Sequence, residues 1–149
     1  MANQVYEHNF PETNLINRNI QSISSKYINE LKPDIILMSP PCQPFTRNGL
    51  QKDLEDPRTD SFEYVLSILK EMCTVNYLLL ENVKGFETSK MRELLINTLK
   101  DCGYYYKEFM LHPFQFGVPN SRLRYYCLAR KKPFSSMNND ELVCRLYDS

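Results

Sequence analysis

Three places in this sequence carry side chains that could do chemistry together. The first is Pro40-Pro41-Cys42-Gln43, directly behind the apolar run Ile35-Ile36-Leu37-Met38. Two prolines fix φ and withdraw backbone donors, so the chain leaves its strand there and Cys42 arrives on a constrained loop. A thiolate presented that way is a nucleophile. An arbitrary free cysteine is more often a buried structural residue, and the flanking prolines reverse those odds. The second place is Glu81-Asn82-Val83, behind Tyr77-Leu78-Leu79-Leu80. A carboxyl at the end of a buried strand is partly desolvated, which favours its neutral form and lets it donate to a ring nitrogen. The plainer reading is an exposed glutamate capping the next segment. The third is Ser121-Arg122-Leu123-Arg124-Tyr125. Strand alternation puts Arg122 and Arg124 on one face, about 6 to 7 Å apart, with Leu123 and Tyr125 toward the core. Two guanidiniums on one face suit a carboxylate, a phosphate or a base oxygen, although Arg-x-Arg also occurs on solvated edge strands.

The elements that must position these groups alternate between helix and strand, which favours an α/β architecture. Ala2 to Asn9 reads as the end of a helix, stopped at Phe10-Pro11. Ser24 or Ser25 caps a short helix with Tyr27, Ile28 and Leu31 on one side. Asp34 to Ser39 is apolar on both faces, as a central parallel strand is. Pro40 to Pro57 is a long loop, and such loops inside compact domains are usually functional. Asp60-Ser61-Phe62-Glu63 resembles a capping box with Asp60 at the cap. The helix behind it sets Phe62, Val65, Leu66, Leu69 and Met72 on one stripe. Tyr77 to Leu80 is a second buried strand. Ser89 opens a helix with Met91, Leu94, Leu95, Leu99 and Cys102 on one face, and Gly103 stops it. Tyr104 to Met110 and Leu123 to Ala129 are further strands, turned through Pro119-Asn120 into an antiparallel ending. From Lys131 to Ser149 the chain is polar and aperiodic, the pattern of a disordered tail.

In open α/β sheets reactive groups gather just beyond the carboxyl ends of strands. If the strands ending at Ser39 and Leu80 are neighbours, Cys42 and Glu81 share one sheet edge. A thiol, a carboxyl and two guanidiniums there have a joint logic. The C5 carbon of cytosine is a poor nucleophile, and thiolate addition at C6 makes the ring enamine-like. An acid at N3 stabilises the charge that builds on the ring. An arginine orients the base, which must first leave its stack.

The string Ile36-Leu37-Met38-Ser39-Pro40-Pro41-Cys42-Gln43-Pro44-Phe45 resembles the nucleophile motif of cytosine-5 methyltransferases. Leu80-Glu81-Asn82-Val83-Lys84-Gly85-Phe86 looks like that family's Glu-Asn-Val motif. Pro119-Asn120-Ser121-Arg122-Leu123-Arg124-Tyr125 looks like its two-arginine motif. Order and separations match over residues 1–130, and the wording of the motifs is nearest the eukaryotic tRNA methyltransferase branch. The resemblance implies a partial Rossmann-like methyltransferase domain with a mostly parallel sheet and an antiparallel ending. It implies methyl transfer from S-adenosylmethionine to an anticodon-loop cytosine of tRNA-Asp, with DNA as the alternative substrate. Cys42 is then the nucleophile and Glu81 the ring-nitrogen acid. Arg122 and Arg124 support the base and the catalytic loop. Asn19, Ile20 and Pro40 lie toward the cofactor.

Departures from the family pattern matter too. The family opens on a strand and a glycine-rich turn that hold the cofactor's methionine part. The four glycines here, Gly49, Gly85, Gly103 and Gly117, include no Gly-x-Gly arrangement. The acidic residue for the cofactor ribose and the target-recognition region also have no counterpart. The chain is therefore expected to be truncated at both ends, to expose an apolar strand edge, and to bind S-adenosylmethionine weakly.

Composition bounds the remainder. With 149 residues, 42% of them hydrophobic, the chain can bury one core. Eighteen basic residues balance 18 acidic ones, so no global field favours nucleic acid. The five cysteines form no Cys-x-x-Cys pair and there are two histidines, His8 and His112, which argues against zinc. An odd cysteine count reads as reduced, intracellular thiols. No segment has the apolar length of a membrane span and no secretion signal is evident, so a cytoplasmic or nuclear protein is expected. Two other classes compete. A non-catalytic RNA- or partner-binding module that keeps the fold is disfavoured by the neutral charge. A Cys-dependent hydrolase needs a histidine base, and neither His8 nor His112 has a supporting pattern.

Overall fold

The computed structural model describes residues 2–41, 59–134 and 142–143. Helix α1 (Ala2–Asn9) has no buried residue. Helix α2 (Ser25–Leu31) starts where Ser24 Oγ accepts from the Tyr27 amide at 3.2 Å. Of the side expected to pack, Ile28 meets the core while Leu31 is 49% exposed. Strand β1 (Ile35–Met38) follows. Helix α3 (Asp60–Ile68) has Thr59 at its N-cap, so Asp60 is the first helical residue rather than the cap. A carboxylate one step inside still meets the positive end of the helix. Strand β2 is Tyr77–Val83, helix α4 is Lys90–Asp101, and strands β3, β4 and β5 are Tyr105–Leu111, Arg124–Arg130 and Leu142–Val143.

The five strands are ordered β1-β2-β4-β3-β5. Pairs β1–β2 and β3–β5 are parallel, whereas β4 is antiparallel to both β2 and β3. Four strands thus run one way. The antiparallel strand, late in the sequence, sits in the middle of the sheet instead of at its end. Strand β1, whose two apolar faces read as those of a central strand, is an edge strand among the described residues and exposes the apolar edge expected there. Strand β5 lies in the segment behind Lys131, most of which is outside the described residues, and pairs Leu142 with Glu108 and Val143 with Phe109.

One sheet face carries the core. Leu78 and Leu80 of β2, Tyr106 and Met110 of β3, and Tyr125, Cys127 and Ala129 of β4 are buried there. Phe62 and Leu66 from α3 and Met91, Leu95 and Leu99 from α4 join the same cluster. Helix α4 follows its apolar stripe from Ser89, whose Oγ accepts from the Arg92 amide at 3.0 Å, to Gly103, which takes the left-handed conformation at φ 73°. Inside this layer Glu108 is buried. It accepts from Arg92 Nε at 2.8 Å and from the Tyr125 hydroxyl at 2.6 Å, and pairs with the Arg92 Nη2 as well. The opposite face is open, with Ile35, Leu37, Tyr77 and Leu128 substantially exposed.

Among the described residues no helix is long and apolar enough to cross a membrane, and no group of three or more His, Cys, Asp or Glu side chains could hold a metal ion.

Candidate active site

The candidate site lies where β1 and β2 finish together. Their parallel register pairs Met38 with Leu80, so Ser39, Pro40 and Pro41 leave the sheet beside Glu81 and Asn82. Strand β2 runs on past Leu80 to Val83 because β4 flanks its whole length, from Tyr77 opposite Arg130 to Val83 opposite Arg124. Glu81 and Asn82 are therefore strand residues, not the start of a loop. Alternation then sends them to opposite faces. Asn82 turns into the core side, 2% exposed, and Glu81 stands on the open face.

Arg124 stands on that same open face, one ladder step from Glu81. Its Nε lies 3.2 Å from Glu81 Oε1, and its Nη1 donates to the Leu123 carbonyl at 2.9 Å. The two bonds fix the guanidinium in direction as well as place. The partly desolvated Glu81 carboxyl has this ion pair as its neighbour, with 32% of its side chain exposed. Arg122 lies just before β4 and is exposed, whereas Tyr125 is fully buried and Leu123 packs on the core. The alternation read for 122–125 thus holds, although the regular strand begins at Arg124.

Asn82 joins the two halves of the site. Its Oδ1 accepts from the Val83 amide at 2.8 Å, and its Nδ2 donates to the Pro40 carbonyl at 3.3 Å. A buried side-chain amide with both ends bonded fixes where the two prolines stand relative to β2. Sequence reasoning overlooked this residue. The signal was present, since Asn82 is the polar member of the series Leu78, Leu80, Asn82 that alternation sends to the core.

A cleft of about 350 Å³ results, lined by Ser39 to Pro41, Glu81 to Val83, Arg122 and Arg124. Glu81, Arg122 and Arg124 come together there with Pro41, the residue before Cys42. Cys42 itself, and most of the loop assigned to Pro40 to Pro57, lie outside the described residues. A second cavity of about 330 Å³ shares Ser39, Pro40 and Pro41 with the cleft and continues along Ile20, Ile36, Met38 and Phe62. Ile20 and Pro40 line this cavity. Asn19 does not: its Oδ1 accepts from the Gln21 amide at 3.0 Å and caps the short turn Ile20–Ser22. Its contribution is to hold Ile20 in place.

The other thiols differ in setting. Cys73 is exposed, Cys102 is half-buried and Cys127 is fully buried. Burial pushes the Cys127 thiol up to about 12. His112, raised as a base for thiol hydrolysis, caps the turn Pro113–Phe116.

Comparison with known proteins identifies the family. The model of the C-5 cytosine-specific DNA methylases matches residues 1–143. A tRNA (cytosine(38)-C(5))-methyltransferase from Spodoptera frugiperda is 56% identical over 98% of this chain and 45% of its own length. The Homo sapiens protein of the same name is 52% identical over 87% of this chain and 34% of its own. A Dictyostelium discoideum DNA (cytosine-5)-methyltransferase is 44% identical over 87% of this chain and 35% of its own. Among solved structures, a Spodoptera frugiperda DNMT2 mutant superposes with a TM-score of 0.82, covering 99% of this chain and 45% of that one. The chain thus spans less than half the length of these relatives.

Proposed function

The chain belongs to the C-5 cytosine-specific DNA methylase family, and from that premise we propose that it methylates C5 of cytosine in RNA, at an anticodon-loop cytosine of tRNA-Asp. The observation that carries the reading is one cleft in which Glu81, paired to Arg124, faces the proline step that leads into Cys42. The relatives of highest identity given above are named as tRNA methyltransferases, which favours RNA. That substrate places the work in the cytoplasm or the nucleus.

Each residue then has a task. The Cys42 thiolate adds to C6, forming an S–C6 bond and pushing the ring's electron pair toward C5. Glu81 enters this step as the carboxylic acid, gives its proton to N3, and is left as the carboxylate that pairs with Arg124. Arg124 keeps the Glu81 carboxyl aimed into the cleft, and Arg122 holds the base oxygen. Once C5 carries its methyl group, a solvent base takes the C5 proton, the Cys42 thiolate leaves C6, and N3 returns its proton to Glu81, which restores the aromatic ring.

The cavity beside the cleft fits part of the donor. Its walls, Ile20, Ile36, Met38, Phe62 and Pro40, suit a flat purine and a thioether, and Ser39 and Ser61 supply the hydroxyls. S-adenosylmethionine held there supplies the methyl group that C5 takes up. The described residues offer no carboxylate among that lining, so weak binding by this chain alone is expected.

The test is methyl transfer from a labelled donor to RNA and to DNA, with Cys42→Ala as control. Label in RNA that is lost in Cys42→Ala supports the proposal. Label in DNA alone favours the second reading, a DNA methyltransferase, which the name of the Dictyostelium relative supports. Binding of RNA without turnover marks a non-catalytic remnant of the fold.

A further inference from the structure

The turn Ile20–Ser22 contributes to two cavities. Ile20 lines the apolar cavity beside the cleft, and Gln21, the next residue, lines a separate groove of about 480 Å³. Packing does little to hold this turn. None of its residues is buried, and Ile20 is 37% exposed. Its own hydrogen bonds are local. The Gln21 amide donates to Asn19 Oδ1, and the Ser22 and Ile23 amides donate to the Asn19 and Ile20 carbonyls at 2.9 and 3.0 Å. One short 3₁₀ turn closed by such bonds is weak by itself. A contact from elsewhere in the chain must fix where Ile20 stands.

That contact comes from α3. The half-buried Tyr64 donates its hydroxyl to the Ile23 carbonyl at 2.9 Å, across 41 positions of sequence. Ile23 is extended, at φ −98° and ψ 109°, so its carbonyl leaves the helical direction and accepts from outside the turn. The same helix walls the apolar cavity with Ser61, Phe62 and Val65. Helical spacing puts those three on one face and Tyr64 at its margin. One helix therefore supplies one wall of the cavity and, through Tyr64, ties down the turn that supplies another.

We propose that Tyr64 is a positioning residue for the methyl donor, a role that rests on the reading of this cavity as the donor site. By holding the Ile23 carbonyl on α3, Tyr64 keeps Ile20 in the wall that meets the donor's purine. Tyr64 lines the groove and not the cavity, so it acts through the turn and not by contact with the donor. A wall residue that is loose before binding weakens affinity, because binding must then also order it. Tyr64→Phe keeps the ring and removes only the hydroxyl, which isolates the one bond in question.

The test is an NMR titration of the full-length chain with S-adenosylhomocysteine, which carries the purine and the thioether but no methyl group to transfer. The method reads weak as well as tight binding. Tyr64→Phe should weaken binding by roughly two- to tenfold, the loss of one neutral hydrogen bond. Without ligand, the Ser22 and Ile23 amides should exchange faster with solvent in Tyr64→Phe, while the Leu66 amide of α3 keeps its wild-type rate. In an Ile20→Ala background, Tyr64→Phe should change affinity no further, because its effect passes through Ile20. Unchanged exchange at Ser22 and Ile23 would overturn the anchor. Faster exchange with unchanged affinity overturns the positioning role, since the turn then has no consequence for the donor. Additive losses with Ile20→Ala overturn it too, because Tyr64 then acts by another route. A wild-type chain that does not bind S-adenosylhomocysteine fails the donor reading of the cavity, and the role of Tyr64 falls with it. A wild-type chain that binds, with Tyr64→Phe binding equally well, keeps the donor reading and loses Tyr64 alone.

Discussion

Glu81 and Arg124 meet at 3.2 Å between Oε1 and Nε, on the open face of the sheet, one ladder step apart across an antiparallel pair. The pair is partly solvated, so it contributes no more than about 1 kcal/mol to stability. Its worth is geometric, since Arg124 is itself tied to the Leu123 carbonyl. Glu81→Gln is expected to lower kcat by roughly 10²–10⁴ with little change in Tm. Arg124→Lys should lose much of the same activity, because an ammonium does not reproduce the two directed bonds of the guanidinium. Full activity in Arg124→Lys would show that the ion pair does not aim the carboxyl.

Asn82 predicts a different pattern. It is buried and bonded at both ends, to the Val83 amide and the Pro40 carbonyl. Asn82→Ala leaves those two backbone groups unpaired, costing about 1–3 kcal/mol each where no water reaches them. Asn82→Asp keeps the acceptor and loses the donor to Pro40. Asn82→Asp also buries a carboxylate with no cation beside it and should lower the melting temperature; in the protein that remains folded, kcat should fall while the KM for RNA hardly moves. Equal damage to kcat and KM would mean that the clamp does not position the proline step.

How much of this was legible in the sequence follows from which contacts are local. The helices came from apolar spacing and serine caps, and Ser24, Ser89 and Gly103 act as their types dictate. The cluster of Glu81, Arg122 and Arg124 was legible because each sits at a strand end or on a strand with clear alternation. The antiparallel pairing of β3 with β4 was legible from the turn at Pro119-Asn120, but the insertion of β4 beside β2 was not, because that pairing is non-local and no turn signal encodes it. That insertion also extends β2 to Val83, which is why Glu81 and Asn82 are strand residues facing opposite ways. The ion pair and the clamp are consequences of this pairing. Whether Cys42 joins the cluster lies outside the described residues, and there the assignment rests on motif.

The buried triad under β3 and β4 gives a stability prediction. Glu108 is 3% exposed, with Arg92 and the Tyr125 hydroxyl as partners. The Glu108 carboxylate raises Arg92 further above its ordinary range. Arg92→Leu leaves a buried carboxylate without its cation and should cost about 3–5 kcal/mol by urea denaturation. The double variant Arg92→Leu/Glu108→Leu should cost clearly less than the two singles combined, since no charge is stranded. Simple additivity would mean that the ion pair is not coupled.

Alkaline pH should unfold the chain through groups that burial keeps neutral. Burial pushes Cys127 up to about 12 from 9.0, and Tyr104, which donates to the Val75 carbonyl at 2.7 Å, up to about 12 from 10.0. In both, the folded value lies above the unfolded one, so the unfolded chain releases its protons first. The stability this confers is complete below pH 9. It falls as pH rises from about 9 toward 12, by up to about 1.4 kcal/mol per pH unit for each group inside its window. Between pH 9 and 10 the windows of two thiols open, Cys127 and Cys102, which burial also raises, while Tyr104 has barely begun to contribute. Urea midpoints of the wild type should drop across that interval, while Cys127→Ala, less stable at neutral pH through its small cavity, should show a flatter decline. Identical slopes for the two proteins would rule out Cys127 as the group responsible.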